Sequence, residues 1–441
     1  MRVNIWTVLC VLTATVLLAV PWLELAGDGV ALPWGIYLQL LFATGFLSVT
    51  LMSVAMVLSL RNPRVENWVG GLDRSYRLHR RAAQWGVGFG LAHYLIKLGS
   101  KQLRKAELLT KPEGYDSGIP AFFDPLHDLA KLAGEWGLYV AIALVAVALI
   151  QAISYRQFVR LHRIFPVIYL GFVLHAVVFM PLAYWINLTG AVLSVSVVGG
   201  LIASGLSLSG RIGRSRQVQG RVTQVQPIGN DVLEVIIEPG PAWPGHQAGQ
   251  FALFTFDTKE GSHPFTLASA WESGAGPKKI RIAIKALGDY TSTLPGSLAE
   301  GAPVRIEGPY GRFDFDNGKG RQIWIAGGIG LTPFVARLEH RTAQPMALEP
   351  VDLFFSTRGV SSNLLDRIQK IAEAGHARLH VVDTGHDAPI DAALIMQAVP
   401  DWHIASIWFC GPAGFGDALE TAFHDASLPR GKFHREAFAF R

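Results

Sequence analysis

Four histidines in the apolar N-terminal half stand in two pairs whose spacing nearly matches. His79 and His93 are 14 residues apart, and His162 and His175 are 13 residues apart. In helices these separations are about 21 and 20 Å along the axis, so two helices would present imidazoles at the same two depths. Ionisable residues inside apolar spans are costly and usually functional. The spacing predicts two stacked bis-imidazole sites, which suit haem iron in electron transfer because no position stays open for oxygen.

Each histidine alone is typical of a packing or capping residue at a helix end, and only the pairing favours ligation. Thirteen residues carry His175 well off the helix face of His162, whereas fourteen return to nearly the same face. Pro166 lies between them and removes a helical hydrogen bond, so a kink there is predicted to turn both rings toward the other helix. His127, in an outer loop beside acidic residues, is predicted to be a surface or substrate-side residue rather than a ligand.

The elements that would position these histidines are six apolar stretches before residue 210. Each is about 20 residues long, enough to cross ~30 Å of hydrocarbon. The predicted spans are Ile5 to Leu25, Trp34 to Leu60, Leu78 to Leu98, Leu132 to Ile153, Leu161 to Phe179 and Leu188 to Leu208. The first is predicted to be a retained span, with a cleaved signal peptide as the alternative.

Composition agrees with a membrane protein. The 441 residues are 50% hydrophobic and 17% charged, with a mean hydropathy of +0.30, which excludes a disordered chain, and two cysteines exclude a disulfide scaffold. The net charge of +5 comes from basic residues beside apolar runs, which indicates a membrane surface rather than nucleic acid. Arginines gather after the second, fourth and sixth spans, so that side and the C-terminal half are predicted to be cytoplasmic.

The C-terminal half changes pattern twice. Short strands with turn signals from Gln217 to Asp316 predict a small antiparallel β-barrel. After the polar linker Asn317 to Gly320, strands alternate with helices, which predicts βαβ units around a parallel sheet.

A glycine turn, Ile325 to Phe334, follows the first strand of this α/β part and opens a helix. Glycines let the backbone approach a pyrophosphate, and the helix N-terminus offers free N–H groups, although such turns are common without a ligand. After the next strand, Ser356 and Arg358 stand where an adenosine ribose would lie. Arg358 favours NADPH over NADH because it can hold a 2′-phosphate, with an ordinary surface arginine as the alternative.

In the barrel part, the run His263-Pro264-Phe265-Thr266 comes shortly before Ser269. Lys285 ends another strand, ahead of the loop that contains Thr291. An aromatic ring, hydroxyls and bases clustered in this way can stack on, hydrogen-bond and neutralise a flavin nucleotide. A barrel core with a proline at its edge remains the alternative from composition alone.

These motifs, with Gly308-Pro-Tyr-Gly311 and Cys410-Gly411-Pro412, resemble the ferredoxin-NADP reductase fold. With the two histidine pairs upstream, the whole chain resembles the ferric reductase and NADPH oxidase superfamily. It is similar in particular to compact bacterial NADPH oxidases that lack an EF-hand. The resemblance implies FAD, two haem b groups and NADPH, with NADH as the alternative, in a multi-pass protein of the bacterial inner membrane.

The resemblance also implies roles for single residues. The inner haem would be held by His79 and His162, and the outer haem by His93 and His175. The residues facing FAD would be His263, Pro264, Phe265, Thr266, Ser269, Lys285 and Thr291; soluble reductases of the fold usually carry arginine at the position of His263. The residues facing the nicotinamide nucleotide would be Gly327, Gly328, Gly330, Thr332, Ser356, Arg358, Cys410, Gly411 and Pro412. Cys410 would lie near the nicotinamide and Phe438, with Phe440 as the alternative, over the flavin.

The expected architecture is multidomain. A six-helix transmembrane haem-binding bundle would cover residues 1–210, an antiparallel β-barrel flavin domain 211–318 and an α/β nucleotide-binding domain 319–441. Electrons would cross the membrane to oxygen, giving superoxide, or to a ferric chelate. One alternative is an electron-supplying subunit whose periplasmic partner docks on the loop from Gly99 to Ala133. Another is a membrane-anchored flavin reductase with structural histidines and no haem.

Overall fold

The computed structural model describes residues 32–149, 155–228, 231–271, 278–315, 320–343, 349 and 351–436. These form two compact units that divide between Gly213 and Arg214. The first unit is helical and the second contains two β-sheets. The first predicted span, Ile5 to Leu25, and the predicted flavin-facing aromatics Phe438 and Phe440 lie outside the described residues.

Eight α-helices are described in the N-terminal unit: α1 (Leu32–Leu58), α2 (Pro63–Val69), α3 (Leu72–Lys105), α4 (His127–Leu149), α5 (Tyr155–His162), α6 (Phe165–Phe179), α7 (Leu182–Trp185) and α8 (Leu188–Leu208). A 3₁₀ turn, Ala121–Leu126, leads directly into α4. The outer loop is therefore shorter than the expected stretch from Gly99 to Ala133, because α3 continues to Lys105 and the 3₁₀ turn already begins at Ala121.

Four helical stretches among the described residues are long and apolar enough to cross a membrane: Leu32–Leu58, Ala121–Leu149, Arg156–Phe179 and Leu188–Leu208. Four of the six predicted spans are thus supported. The third predicted span, Leu78 to Leu98, falls within the 34-residue α3. This helix is long enough to span, but Gln84, His93 and Lys97 lower the hydropathy of its central part.

Small residues let the helices of the N-terminal unit approach closely. Such residues are usual between transmembrane helices, because lipid provides no hydrophobic driving force and association depends on close packing. The Ser48 hydroxyl on α1 donates to the Gly86 carbonyl on α3 at 2.8 Å. Tyr169 on α6 is fully buried, and its hydroxyl bonds to Ser53 at 2.7 Å. A Cβ on Gly200 of α8 would come within 2.0 Å of that hydroxyl, so only glycine leaves room for it.

The stretch predicted as one span from Leu161 to Phe179 is interrupted near its start. α5 ends at His162, and α6 begins at Phe165 with Pro166 in its first turn. A proline in the first turn of a helix gives up an N–H that would have no partner there, so the break is well tolerated. The break separates His162 and His175 onto two helical segments, as the predicted kink at Pro166 requires.

The first sheet of the C-terminal unit contains six antiparallel strands: β1 (Gln217–Ile228), β2 (Val232–Pro239), β3 (Phe251–Thr255), β4 (His263–Thr266), β5 (Ile280–Lys285) and β6 (Pro303–Tyr310). Their order is β4-β3-β6-β1-β2-β5. An antiparallel bridge between Leu267 and Ile282 joins the two outer strands, so the sheet closes as a barrel around an apolar core. A short helix α9 (Leu294–Ser297) precedes β6.

The second sheet contains five parallel strands: β7 (Gln322–Gly327), β8 (Val351–Thr357), β9 (Ala377–Asp383), β10 (Ser406–Cys410) and β11 (Phe433–Glu436). Its helices are α10 (Thr332–Thr342), α11 (Ser362–Ala374), α12 (Ala392–Ala398) and α13 (Ala413–Asp425). The order β11-β10-β7-β8-β9 reverses between β7 and β10. Ligands of such sheets bind at the carboxyl ends of the strands beside this reversal. The predicted domain limits, 211–318 and 319–441, stay predictions.

An ion-pair network connects the two sheets of the C-terminal unit. Arg281 on β5 pairs with Glu339 on α10 and lies 3.6 Å from Glu234 on β2. Arg367 on α11 reaches back to the same Glu234 at 2.9 Å. The side chains of Glu234, Arg281 and Glu339 are 10%, 18% and 27% exposed, so solvent screens the network only in part. The barrel and the α/β layer are therefore held together by charges that depend on one another.

Replacing Arg281→Gln should lower the stability of the C-terminal unit by about 2 kcal/mol, because it leaves the partly buried Glu339 without this ion-pair partner and Glu234 with Arg367 alone. The midpoint of thermal unfolding, followed by the fluorescence of the buried Trp324 and Trp408, measures this effect. Arg378→Gln is the matched control: Arg378 is 71% exposed and 3.8 Å from Asp352, so its loss should cost less than about 0.5 kcal/mol. Equal losses of stability in the two variants would contradict the role of Arg281 in joining the two sheets.

Candidate functional site

The two predicted histidine pairs meet in the N-terminal unit. The ring centroids of His79 and His162 are 6.0 Å apart and those of His93 and His175 are 6.1 Å apart, with the rings inclined at 75° and 89°. Two imidazoles that ligate one metal ion at ~2 Å from opposite sides have centroids roughly 6 Å apart. Both pairs therefore have the separation of rings that share a metal.

The orientation of the rings also suits ligation. Where Nδ1 faces a carbonyl oxygen it must donate its proton, so Nε2 keeps its lone pair, which is the tautomer and second contact usual for metal-ligating histidines. Three of the four rings make this bond, each to a carbonyl on another helix: His79 to Ala55 at 2.7 Å, His93 to Leu41 at 2.9 Å and His175 to Ala130 at 3.0 Å. The fourth, His162, packs against the rings of Phe158 and Phe165.

Glycines make room for the rings of one pair. A Cβ on Gly134 of α4 would come within 2.5 Å of His175 Nδ1, and a Cβ on Gly45 of α1 within 3.1 Å of His93 Nδ1. Contacts below 3 Å force a shift, so Gly134 in particular is required for the observed position of His175. The backbone that surrounds this pair is thus shaped to hold the imidazoles.

A cavity surrounds the same pair, between α1, α3, α4, α6 and α8. Its wall is mostly apolar, and its ionisable residues besides the histidines are Tyr94, Lys97, Lys101, Lys131, Glu135 and Tyr184. Among the residues that the structure describes, no group of three or more His, Cys, Asp or Glu side chains could hold a bare metal ion. Each histidine pair offers two nitrogen ligands, and the pair of His93 and His175 lies beside apolar space, which fits a planar metal macrocycle that supplies the other ligands itself.

His127, predicted to be a surface or substrate-side residue, is half-buried. It begins α4 and stacks on Phe179 with a centroid distance of 4.6 Å, and Phe179 in turn packs against His175 at 4.8 Å. The helix start turns the ring toward Phe179, while Asp124 and Asp128 stay exposed.

In the barrel, the closed sheet gathers the predicted flavin residues. Counting the antiparallel register from the Leu267–Ile282 bridge places the Lys285 end of β5 beside the His263 end of β4. The ring of Tyr290, from the loop after β5, stacks on His263 at 4.4 Å. The structure thus brings residues from both predicted motifs to one end of the barrel.

Two hydroxyls in this part of the barrel, on Thr266 at the end of β4 and on Tyr290 after β5, are suited to a ligand. Both hydroxyl oxygens are buried: Thr266 Oγ1 has no hydrogen-bond partner among the described residues, and Tyr290 Oη faces the Asp257 backbone amide but has no acceptor there for its proton. Burial, with the nearby carboxylates of Asp257 and Glu260, raises the pKa of Tyr290 to about 12, so its hydroxyl remains a donor. Buried polar atoms are nearly always paired, and a bound polar molecule would supply what these two lack.

Other predicted flavin contacts already have protein partners. Lys285 pairs with Asp231 at 3.3 Å. Thr291 Oγ1 accepts hydrogen bonds from the amides of residues 287 and 288, and Ser269 Oγ accepts one from Arg281. Burial lowers the pKa of His263, so at neutral pH its ring is uncharged and acts through stacking rather than as a cation. Phe265 packs on Phe254 of β3, and Pro264 on β4 pairs with Leu253.

The glycine turn lies at the reversal of the parallel sheet, as its sequence predicts. A Cβ on Gly330 would come within 2.2 Å of the Cys410 carbonyl, and one on Gly327 within 2.8 Å of Pro412. Gly328 has φ +56° and open space where a Cβ would project, so a ligand can approach its backbone. Gly411 packs on Gly327, and Thr332 begins α10 with its hydroxyl bonded to Ile329.

Cys410 ends β10 beside a carboxylate that the sequence motifs do not indicate. Cys410 is fully buried, and burial together with Glu436 raises the pKa of its thiol well above the ordinary value. The parallel register of β10 and β11 pairs Cys410 with Glu436. Only the position of Glu436 near the C-terminal aromatics could have suggested it from the sequence. The thiol thus stays protonated next to an acid at the carboxyl edge of the sheet.

Known proteins resemble both units. Residues 44–173 match the family described as "Ferric reductase like transmembrane component", and residues 217–314 match a family described as "FAD-binding domain". The chain is 35% identical over 147 residues to phenoxybenzoate dioxygenase subunit beta of Ectopseudomonas oleovorans, which covers 32% of this chain and 41% of that protein. It is 25% identical over 241 residues to a flavohemoprotein of Deinococcus radiodurans, covering 51% and 59%.

A solved structure, the Amycolatopsis cytochrome P450 reductase GcoB, is 25% identical with a TM-score of 0.43 and covers 51% of this chain and 70% of that one. The chain spans about half the length of the curated relatives it matches. Its apolar helices and the matched transmembrane component indicate a membrane protein. The chain combines a ferric-reductase-like transmembrane component with an FAD-binding reductase half homologous to known oxidoreductases, the combination that matches the ferric reductase and NADPH oxidase superfamily.

Proposed function

We propose that this protein is an oxidoreductase that moves electrons from a reduced nicotinamide nucleotide in the cytoplasm across the bacterial inner membrane to an acceptor outside. FAD and two haem b groups would be its cofactors. The observation that carries the proposal is the pair of facing imidazoles at each of two levels, 6.0 and 6.1 Å between centroids. When bound, FAD would convert the two electrons of a hydride donor into single electrons, which is the form that haem iron carries.

The protein's own residues would hold and orient the haem groups. His79 and His162 would bind the inner one, and His93 and His175 the outer one. The carbonyls of Ala55, Leu41 and Ala130 fix three of these rings, so the ligating nitrogens are preorganised before any haem arrives. Two histidines about 21 Å apart on one helix provide sites on both halves of a ~30 Å apolar layer.

The C-terminal unit would hold the flavin and the donor. Thr266 would hydrogen-bond the flavin with a hydroxyl that is otherwise buried without a partner, and Tyr290 would donate the proton of a hydroxyl that stays un-ionised. The backbone at Gly328 and the N-terminus of α10 would receive the donor's pyrophosphate. Cys410 and Glu436 would flank the nicotinamide, where a protonated thiol and an acid shape the pocket without carrying the hydride.

The arginines that follow the second, fourth and sixth predicted spans support a cytoplasmic side there, so the C-terminal unit would lie in the cytoplasm. The acceptor on the other side would be oxygen, with superoxide as the product, or a ferric chelate. The cavity around His93 and His175 supports an acceptor near this pair, since its lysines would attract small anions. The alternative function, a membrane subunit that supplies electrons to a periplasmic enzyme, differs by needing that partner for turnover.

The absorption spectrum of the detergent-purified protein tests the proposal. Anaerobic addition of reduced nicotinamide nucleotide should produce a sharp haem α band, with about two haems per chain, because each histidine pair would hold one haem. His93→Ala and His79→Ala should each remove one haem. Bleaching of the flavin without any haem band would contradict the transmembrane relay and leave a membrane-tethered flavin reductase.

Gly134→Ala should cost one haem per chain without unfolding the bundle. The added methyl would stand 2.5 Å from His175 Nδ1, so the ring must leave its bond to the Ala130 carbonyl. Gly171→Ala is the matched control in α6, because its Cβ would meet only Ala133 at an ordinary 3.5 Å. Haem content by pyridine haemochrome measures both, and full haem content in Gly134→Ala would exclude the assigned site.

Thr266→Val should weaken FAD binding by about tenfold, because the flavin loses a buried hydrogen bond. The same change should leave the FAD-free protein as stable or up to about 1 kcal/mol more stable, since an unpaired buried hydroxyl is removed. Thr223→Val is the control, because that hydroxyl donates to the Ile236 carbonyl at 3.1 Å and should affect stability but not FAD binding. Titration of apoprotein with FAD and thermal unfolding separate the two effects.

A further inference from the structure

The carboxyl edge of the parallel sheet carries two opposite charges, on Arg358 and Asp383. Each of them favours a different group at the 2′ position of the donor's adenosine ribose. Cys410 and Glu436 occupy the β10–β11 side of the glycine turn, where the nicotinamide would lie. The adenosine end of a dinucleotide at this turn must then extend over the opposite side, toward the carboxyl ends of β8 and β9. Those ends carry Arg358 and Asp383, of which the sequence motif indicated only Arg358. An arginine at such a strand end accommodates a 2′-phosphate, whereas a carboxylate favours a ribose 2′-hydroxyl.

Asp383 is tied to both loops of this edge. Its carboxylate accepts a hydrogen bond from the Gly385 amide at 2.9 Å and from the Gly359 amide at 3.3 Å. These bonds, with the charges of His386 and Arg358, lower the pKa of Asp383, so the group stays ionised. The Thr384 amide and hydroxyl both donate to the Thr357 carbonyl, at 2.9 and 3.0 Å, which fastens the second loop to the first. The negative charge is thus held in a defined place.

Arg358 lies against the same turn. A Cβ on Gly385 would meet Arg358 Cγ at 3.9 Å and Asp383 Oδ1 at 3.2 Å, so the arginine stem passes beside the carboxylate. A second carboxylate, on Asp387, accepts the Asp383 amide at 3.0 Å. The edge therefore presents one guanidinium and two carboxylates, and its local charge is negative when His386 is neutral.

We propose that Asp383 makes NADH the preferred electron donor, with Arg358 serving as its neighbouring counter-charge rather than as a 2′-phosphate site. The inference rests on the proposed function and reverses the donor preference that Arg358 alone predicts. A 2′-phosphate brings a charge of about −1.5 to −2 next to a fixed carboxylate, whereas a 2′-hydroxyl can donate a hydrogen bond to it. Building repulsion against the wrong ligand is an ordinary route to specificity.

The test compares both donors on the FAD-loaded full chain in detergent, with ferricyanide as a soluble acceptor that bypasses the haem sites. Wild-type kcat/KM should be at least about tenfold higher for NADH than for NADPH. Asp383→Asn keeps an oxygen for the backbone amides and removes the charge, so kcat/KM for NADPH should rise about tenfold while that for NADH changes less than about threefold. Asp391→Asn is the control, because Asp391 accepts the Leu394 amide at 2.8 Å as the N-cap of α12.

The sign of the Asp383→Asn effect decides between the two roles. If Arg358 holds a 2′-phosphate and Asp383 only positions its loop, the variant should lose NADPH activity. That result, or a wild-type preference for NADPH, would overturn the proposal. Calorimetric binding of AMP and adenosine 2′,5′-bisphosphate gives a reading without turnover: the bisphosphate should bind more weakly to the wild type and gain affinity in Asp383→Asn. Failure to oxidise either donor would count against the proposed function. The calorimetric measurement would still test the role of Asp383 in that case.

Discussion

The N-terminal unit depends on one interaction, the hydrogen bond from a histidine Nδ1 to a backbone carbonyl inside an apolar bundle. His79, His93 and His175 each make it to another helix. The bond sets the tautomer and the direction of the ring together, so the free nitrogens face each other only if the helices keep their relative depth. Glycines such as Gly134 and Gly200 allow the close approach that keeps this depth. The packing of the helices therefore also fixes the geometry of the histidine pairs.

The break before α6 follows from the same constraint. An unbroken helix would turn His162 and His175 to different sides, because 13 residues are not a whole number of turns. Ending α5 at His162 and restarting at Phe165 lets each histidine find its own partner on α3. Pro166 makes the restart inexpensive, since its missing N–H falls in the first turn. The break between α5 and α6 thus lets His162 and His175 each face a histidine on α3.

The C-terminal unit places its chemistry by topology rather than by helix depth. Closure of the barrel through Leu267 and Ile282 brings the two flavin motifs to one end, and the reversal of strand order between β7 and β10 opens the parallel sheet for a dinucleotide. The network of Arg281, Glu234 and Glu339 holds these two sheets together. Glycine at position 330 lets the turn touch the Cys410 carbonyl, so the carboxyl edge of the parallel sheet is shaped by direct backbone contact.

The sequence by itself determined the kinds of elements and the chemistry of their motifs, because hydropathy, glycine turns and histidine spacing are properties of neighbouring residues. It therefore predicted the apolar helices, the antiparallel and parallel sheets and the two histidine pairs. It could not show that His127 stacks on Phe179, or that Glu436 lies beside Cys410 and Asp383 beside Arg358. Only the tertiary structure decided these, because each depends on strand register or helix packing between segments that are distant along the chain.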